Sequence, residues 1–189
     1  MHAKHAPYTE RYLQAKTTLM KQNLWILFIL ISLKSIACTC ALKTLSELQK
    51  LEIENSELIF IGEVIEVNKS DRTFKIKVTE SLNKNDNQGT IYTGENWQYC
   101  DPFIGEKGKW IVYGNLKDGF LKLNRCGLSR SFDKPVVNPI PPPSPKIMTS
   151  LNEKEKKALW DKLREDNLKK GQTELKEEIN ALRRIRDEK

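Results

Sequence analysis

The chain of 189 residues holds two histidines, both within its first five positions. The body of the sequence therefore has no histidine for a catalytic triad or a His-rich metal site. Cysteine is also sparse, with Cys38, Cys40, Cys100 and Cys126 in all and no CxxC pair among them. Structural zinc is usually held by paired CxxC ligands, so a CxC and two lone cysteines fit a four-thiolate site poorly. No apolar run reaches the roughly twenty residues that a spanning helix needs. The longest, 24–33, has ten residues and ends at Lys34. The central region also lacks charge of one sign. Residues 38–134 carry fourteen Lys/Arg and fourteen Asp/Glu, so the formal net charge of +7 comes from the two ends. A nucleic-acid footprint needs a basic patch on the domain itself, and oligonucleotide binding is not expected.

The N-terminus reads as an address. Lys21 precedes the apolar run LWILFILISL, and Ser35-Ile36-Ala37 follows it. A basic start, a short apolar stretch and small residues at −3 and −1 describe a secretory signal peptide over 1–37. Met20-Lys21 makes a more natural start than Met1, so 1–19 reads as a misassigned start. Export to an oxidising compartment follows, either secreted or in the cell envelope. Cleavage after Ala37 makes Cys38 the first residue of the mature chain, with a free α-amine or, alternatively, as a lipid-modified cysteine. A lipobox normally has Leu, Val or Ile three residues before the cysteine, where this chain has Ser35. Membrane association is expected only if Cys38 is lipidated or the signal stays uncleaved.

Four cysteines in an exported chain predict two disulfides with three connectivities. Direct pairing of Cys38 with Cys40 would close a very tight ring, which favours links to Cys100 and Cys126.

The middle of the chain predicts a small β domain over 38–134. Thr44 followed by Glu47 is a capping-box pattern and opens a short helix over 45–53. Five strands follow, over 58–67, 73–82, 90–93, 109–113 and 120–125, with polar turns between them. Gly62 inside the first strand marks a bulge, and Asp118-Gly119 lies near a hairpin tip. Five antiparallel strands in under a hundred residues predict a partly open Greek-key barrel of the OB type, with a small β-sandwich as the alternative.

Cys38-Thr39-Cys40 at the cleavage site, the strand ELIFIGEVIEV, Cys100, and WIVYGNLKDGFLKLNRC ending at Cys126 resemble the netrin-like domain of the tissue inhibitors of metalloproteinases. The resemblance covers roughly residues 38–131 and matches a bacterial single-domain member. It implies a netrin-like barrel with Cys38 paired to Cys100 and Cys40 to Cys126. It also implies a mechanism in which the amine and carbonyl of Cys38 displace water from the catalytic zinc of a protease while Thr39 enters the specificity pocket. A catalytic zinc keeps such a position open, and an α-amine of pKa about 7.7–8.0 sheds its proton readily near neutral pH. The departures are a longer stretch between Cys40 and the first strand, no third disulfide and no second cysteine-rich domain.

Beyond the barrel, the prolines from Pro135 to Pro145 predict a stiff linker over 135–149. Ser150 and Glu153 form a second capping-box pattern and predict a helix to about Lys169, interrupted at Gly171 and resuming over 173–186. Of the 39 residues from Leu151, 22 are charged. Leu168, Leu175, Ile179 and Leu182 make a thin apolar seam that Arg186 breaks. Three or four unbroken heptads are needed for a long coiled coil, so the tail (150–189) reads as a solvated or docking helix, with at most weak dimerisation through the seam. Truncation after about Pro135 is expected to leave a folded barrel.

No enzyme is predicted. Asp101, Ser129 and Ser131 have no histidine partner, and Glu63 and Glu66 do not form a dyad. No cofactor and no metal of its own are expected. The leading functional reading is an exported binder or inhibitor of zinc metalloproteases. The competing one is a non-inhibitory surface lipoprotein or adhesion module on the same barrel.

Overall fold

The computed structural model describes residues 40–41, 43–98, 100 and 102–188. Residues 1–37, expected to be a signal peptide, and Cys38, Thr39 and Asp101 lie outside the described residues. Helix α1 spans Leu45–Asn55 and opens as its sequence specifies: Thr44 Oγ1 accepts from the Glu47 amide, and the Glu47 carboxylate accepts from the Thr44 amide at 2.8 Å. The strands are β1 (Leu58–Asn68), β2 (Thr73–Ser81), β3 (Ile91–Glu95), β4 (Gly108–Lys117), β5 (Phe120–Leu123) and a two-residue β6 (Arg130–Ser131). They hydrogen-bond in the order β1-β2-β3-β5-β4-β6, and β1 also pairs with β4. That extra pairing closes a five-stranded barrel with β6 as an appendix on β4. The closure is mixed, because β3 meets β5 in parallel at Gly94 and Leu121 where antiparallel pairing was expected. A chain that reaches β5 through the β4–β5 hairpin brings it beside β3 pointing the same way.

The hairpin is tighter than the sequence suggests. β4 runs on to Lys117, and only Asp118 and Gly119, with φ of 55° and 80°, make the turn. Two central residues with positive φ match the twist of the flanking strands. Gly62 is also where the β1–β2 register shifts. A Cβ there would come within 2.7 Å of the Ile76 side chain, so only glycine lets β2 lie this close.

β1 explains its own unbroken apolar run. Leu58, Phe60 and Val64 point into the barrel with Phe74, Ile76, Trp110, Val112 and Leu121. Ile59 and Ile61 point outward, and they too are buried. What covers them is the C-terminal helix, and here several expectations are corrected. Gly171 does not interrupt it: α3 is continuous over Glu153–Glu188. Its cap is Asn152 with Glu155 rather than Ser150 with Glu153. Ser150 instead ends a short helix α2, Pro145–Ser150, inside the expected linker. Proline suits the first turn of a helix, where its missing N–H has no bond to lose.

Of the expected seam, Leu175, Ile179 and Leu182 are buried in a second core with Ile59, Ile61, Leu82, Ile111, Tyr113 and Leu128, while Leu168 stays exposed. The C-terminal half of the tail helix is thus part of the folded unit, and the seam from Leu175 onward faces its own barrel. Burial of each such side chain is worth about 1.5–3 kcal/mol. Gly171 is buried because the helix crosses the chain at Pro135–Val136, where an added Cβ would stand 3.2 Å from backbone atoms. A glycine in mid-helix costs about 1 kcal/mol relative to alanine; close approach is what it gains.

Candidate functional site

A disulfide ties the segment before α1 to the turn that follows β5. Cys40 is joined to Cys126 by a disulfide across 86 residues. Cys100 is disulfide-bonded as well. Its expected partner, Cys38, and the expected pocket residue, Thr39, lie outside the described residues.

Cys126 sits in a turn with a left-handed backbone, φ 55°. The turn is held from α1. Glu52 of that helix is buried; its carboxylate accepts from Asn124 Nδ2 at 2.7 Å, Ser56 Oγ at 3.2 Å and the Leu128 amide at 3.1 Å. A Cβ on Gly127 would overlap the Glu52 carboxylate, so glycine is required where the turn meets the helix. Burial pushes the Glu52 carboxyl above the usual range, opposed by those hydrogen bonds and reinforced by the charge of Glu178. The disulfide is therefore anchored at both ends. Cys40 stands four residues before the capped start of α1, and Cys126 is in a turn that α1 grips from inside.

Beside the turn, the Arg125 guanidinium stacks 3.8 Å from the centre of the Trp97 ring. The Trp97 indole N–H donates to the Leu123 carbonyl at 2.7 Å, and Lys122 lies 5.7 Å from the same ring. Lys122 also pairs with Glu95. A cavity of about 440 Å³ opens against the disulfide, walled by Leu48 and Leu51, with Lys43 and Arg125 in its lining.

The groups set aside as catalytic have structural partners. Ser129 Oγ donates to the Tyr113 carbonyl and accepts from the Tyr113 amide. Ser131 Oγ accepts from the Lys134 amide. Glu66 pairs with Lys75 on the exposed outer face of the sheet. Among the described residues, no three His, Cys, Asp or Glu side chains are grouped to hold a metal, and no helix is long and apolar enough to cross a membrane.

Sequence reasoning missed Glu52, Asn124, Trp97 and Arg125. Of these only Arg125, next to a cysteine at a strand end, carried a local signal. A scan against protein-family models finds no match, and a search of curated proteins finds none.

Proposed function

We propose that the chain is an exported inhibitor of zinc metalloproteases on a netrin-like barrel, presenting Cys38 and Thr39 to the metal and specificity pocket of the protease. The observation that carries this reading is the Cys40–Cys126 disulfide, which ties the residue two places after Cys38 to a turn braced by Glu52. A short segment fastened this way loses little ordering entropy when it binds. The engagement of Cys100 in a disulfide is in keeping with the same reading. The protein supplies no metal of its own; the zinc belongs to the target, where an amine and a carbonyl replace water.

The test is titration of protein beginning at Cys38 against a panel of zinc endopeptidases, beside a form with one extra Ala before Cys38. The added residue converts the amine into an amide, a poor metal ligand, and fills the space next to the metal. Inhibition by the first form and not by the second supports the proposal. Inhibition by neither form, or equally by both, sinks it and leaves the barrel as an interaction scaffold.

A further inference from the structure

A second cleft lies apart from the disulfide cavity, between the loop that leads into β4 and the segment that carries β6. It is an open cleft of about 610 Å³, lined by Phe103, Trp110 and Val136, by the cations Lys107, Arg130 and Lys134 and by the acids Glu106 and Asp133. A volume of this size takes a drug-sized molecule.

Its chemistry is two-sided. Phe103 is 44% exposed while its neighbour Ile104 is fully buried, so the fold leaves one aromatic ring outside its core on the cleft wall. Gly105 leaves room for that ring, since a Cβ there would stand 2.9 Å from it. Trp110 belongs to the barrel core but, at 9% exposed, also reaches the cleft lining. Offset or edge contacts with such rings favour a flat apolar body.

The polar side is mixed in charge, with Lys69, Lys107, Arg130 and Lys134 outnumbering Glu106 and Asp133. Lys134 meets Glu106 only at 3.4 Å, with both side chains about three-quarters exposed, and an exposed pair of this kind holds its partner weakly. Lys107 extends from the same wall. Arg130, also in the lining, is 6% exposed; its terminal nitrogens are taken by Glu178 and the Leu128 carbonyl, and its Nε has no acceptor among the described residues. A buried donor left unmatched calls for an explanation, and an acceptor brought by a ligand is one.

From these features we infer that the cleft binds a small aromatic carboxylate, its ring against Phe103 and Trp110 and its oxygens toward Lys107, Lys134 and the Arg130 side. This site is independent of the inhibitory reading and survives its failure.

The experiment titrates the isotope-labelled full chain with phenylacetate and, separately, with phenylacetamide, following backbone amide resonances. The expected result is saturable shifts centred on 102–110 and 127–137 with phenylacetate, and at least tenfold weaker binding of the amide. Lys107→Glu and Phe103→Ala, both at exposed positions, should each weaken phenylacetate at least tenfold, while Lys162→Glu, at an exposed position of α3 outside the cleft lining, should leave it unchanged. No saturable shift in those segments, equal binding of acid and amide, or an equal loss in Lys162→Glu would overturn the proposal.

Discussion

Arg130 and Glu178, 48 residues apart in sequence, meet as a buried two-pronged ion pair, Nη2 to Oε2 at 2.9 Å and Nη1 to Oε1 at 3.2 Å. Glu178 also accepts from the Tyr113 hydroxyl at 2.7 Å and from Gln49 at 3.0 Å. One carboxylate on the tail helix thus joins α1, β4 and β6. Burial, together with this carboxylate, holds the Tyr113 phenol far above its ordinary range, so it remains a donor. Glu178→Ala should lower stability by about 3–5 kcal/mol, because it leaves a buried guanidinium without its counter-ion. Arg130→Met combined with Glu178→Leu should cost much less than the single change. Urea denaturation of the single and double variants measures both, and a double variant as unstable as Glu178→Ala would contradict the account.

The tail is the second matter for prediction. Removing everything after about Pro135 uncovers Ile59, Ile61, Ile111 and Leu128, and a contiguous exposed apolar face favours association. The truncated chain should lose cooperative unfolding or aggregate, opposite to what the proline-rich linker alone suggests. Restoring 153–188 as a separate peptide should partly recover the folded state. A truncated chain that stays monomeric, with an unfolding midpoint like that of the full protein, would refute the docking role.

The reasons for that reversal show where sequence reasoning stops. Thr44 with Glu47, and Asp118 with Gly119, act through neighbours three residues away or fewer, so their patterns can be read locally. The role of Gly171 depends on Pro135 and Val136, and that of Glu178 on Arg130; nothing within a turn of either residue announces the partner. The tail's apolar stripe is thin because Glu178 takes a core position between Leu175 and Leu182, and a buried charge reads as a surface one until its partner is known. Parallel contact of β3 with β5 is likewise a property of barrel closure. At the site, the CxC spacing was legible, whereas the bracing by Glu52 needed the packed helix.

The third prediction concerns pH. Glu80 accepts from Arg183 Nε at 2.8 Å and Nη2 at 2.6 Å, and from Arg186 Nη1 at 3.1 Å. The Arg183 hydrogen bonds hold its carboxyl below the ordinary 4.5. A depressed folded value means that the contribution is complete above pH 4.5 and is lost as pH falls through the lower folded value. The pair is partly open to solvent, with side chains 42% and 28% exposed, so its worth is about 1 kcal/mol or less. Glu52 works in the opposite sense: its raised folded value disfavours the charged form, and that cost is relieved as pH falls through the raised value. Glu80→Gln should therefore trail the parent by up to about 1 kcal/mol at neutral pH and converge with it in acid. A gap that is unchanged in acid would rule out this linkage.

The last prediction joins stability to the proposed activity. Cys40 and Cys126 close a loop of 86 residues, and the loop-entropy model assigns such a bridge about 4–5 kcal/mol. Cys40→Ser with Cys126→Ser should lose up to that amount in urea denaturation while the barrel still folds, because both cores are built from other residues. If Cys38 and Thr39 are presented to a protease zinc, the same variant should inhibit more weakly although the ligand itself is untouched, since the segment must then be ordered on binding. Thr39→Gly provides the contrast. It should leave stability unchanged and weaken inhibition unequally across proteases, because it removes contacts in the specificity pocket and not the metal ligand. Stopped-flow association and dissociation rates for the three proteins separate the two effects. A disulfide-free variant that folds and inhibits as well as the parent would show that the anchoring has no part in presentation.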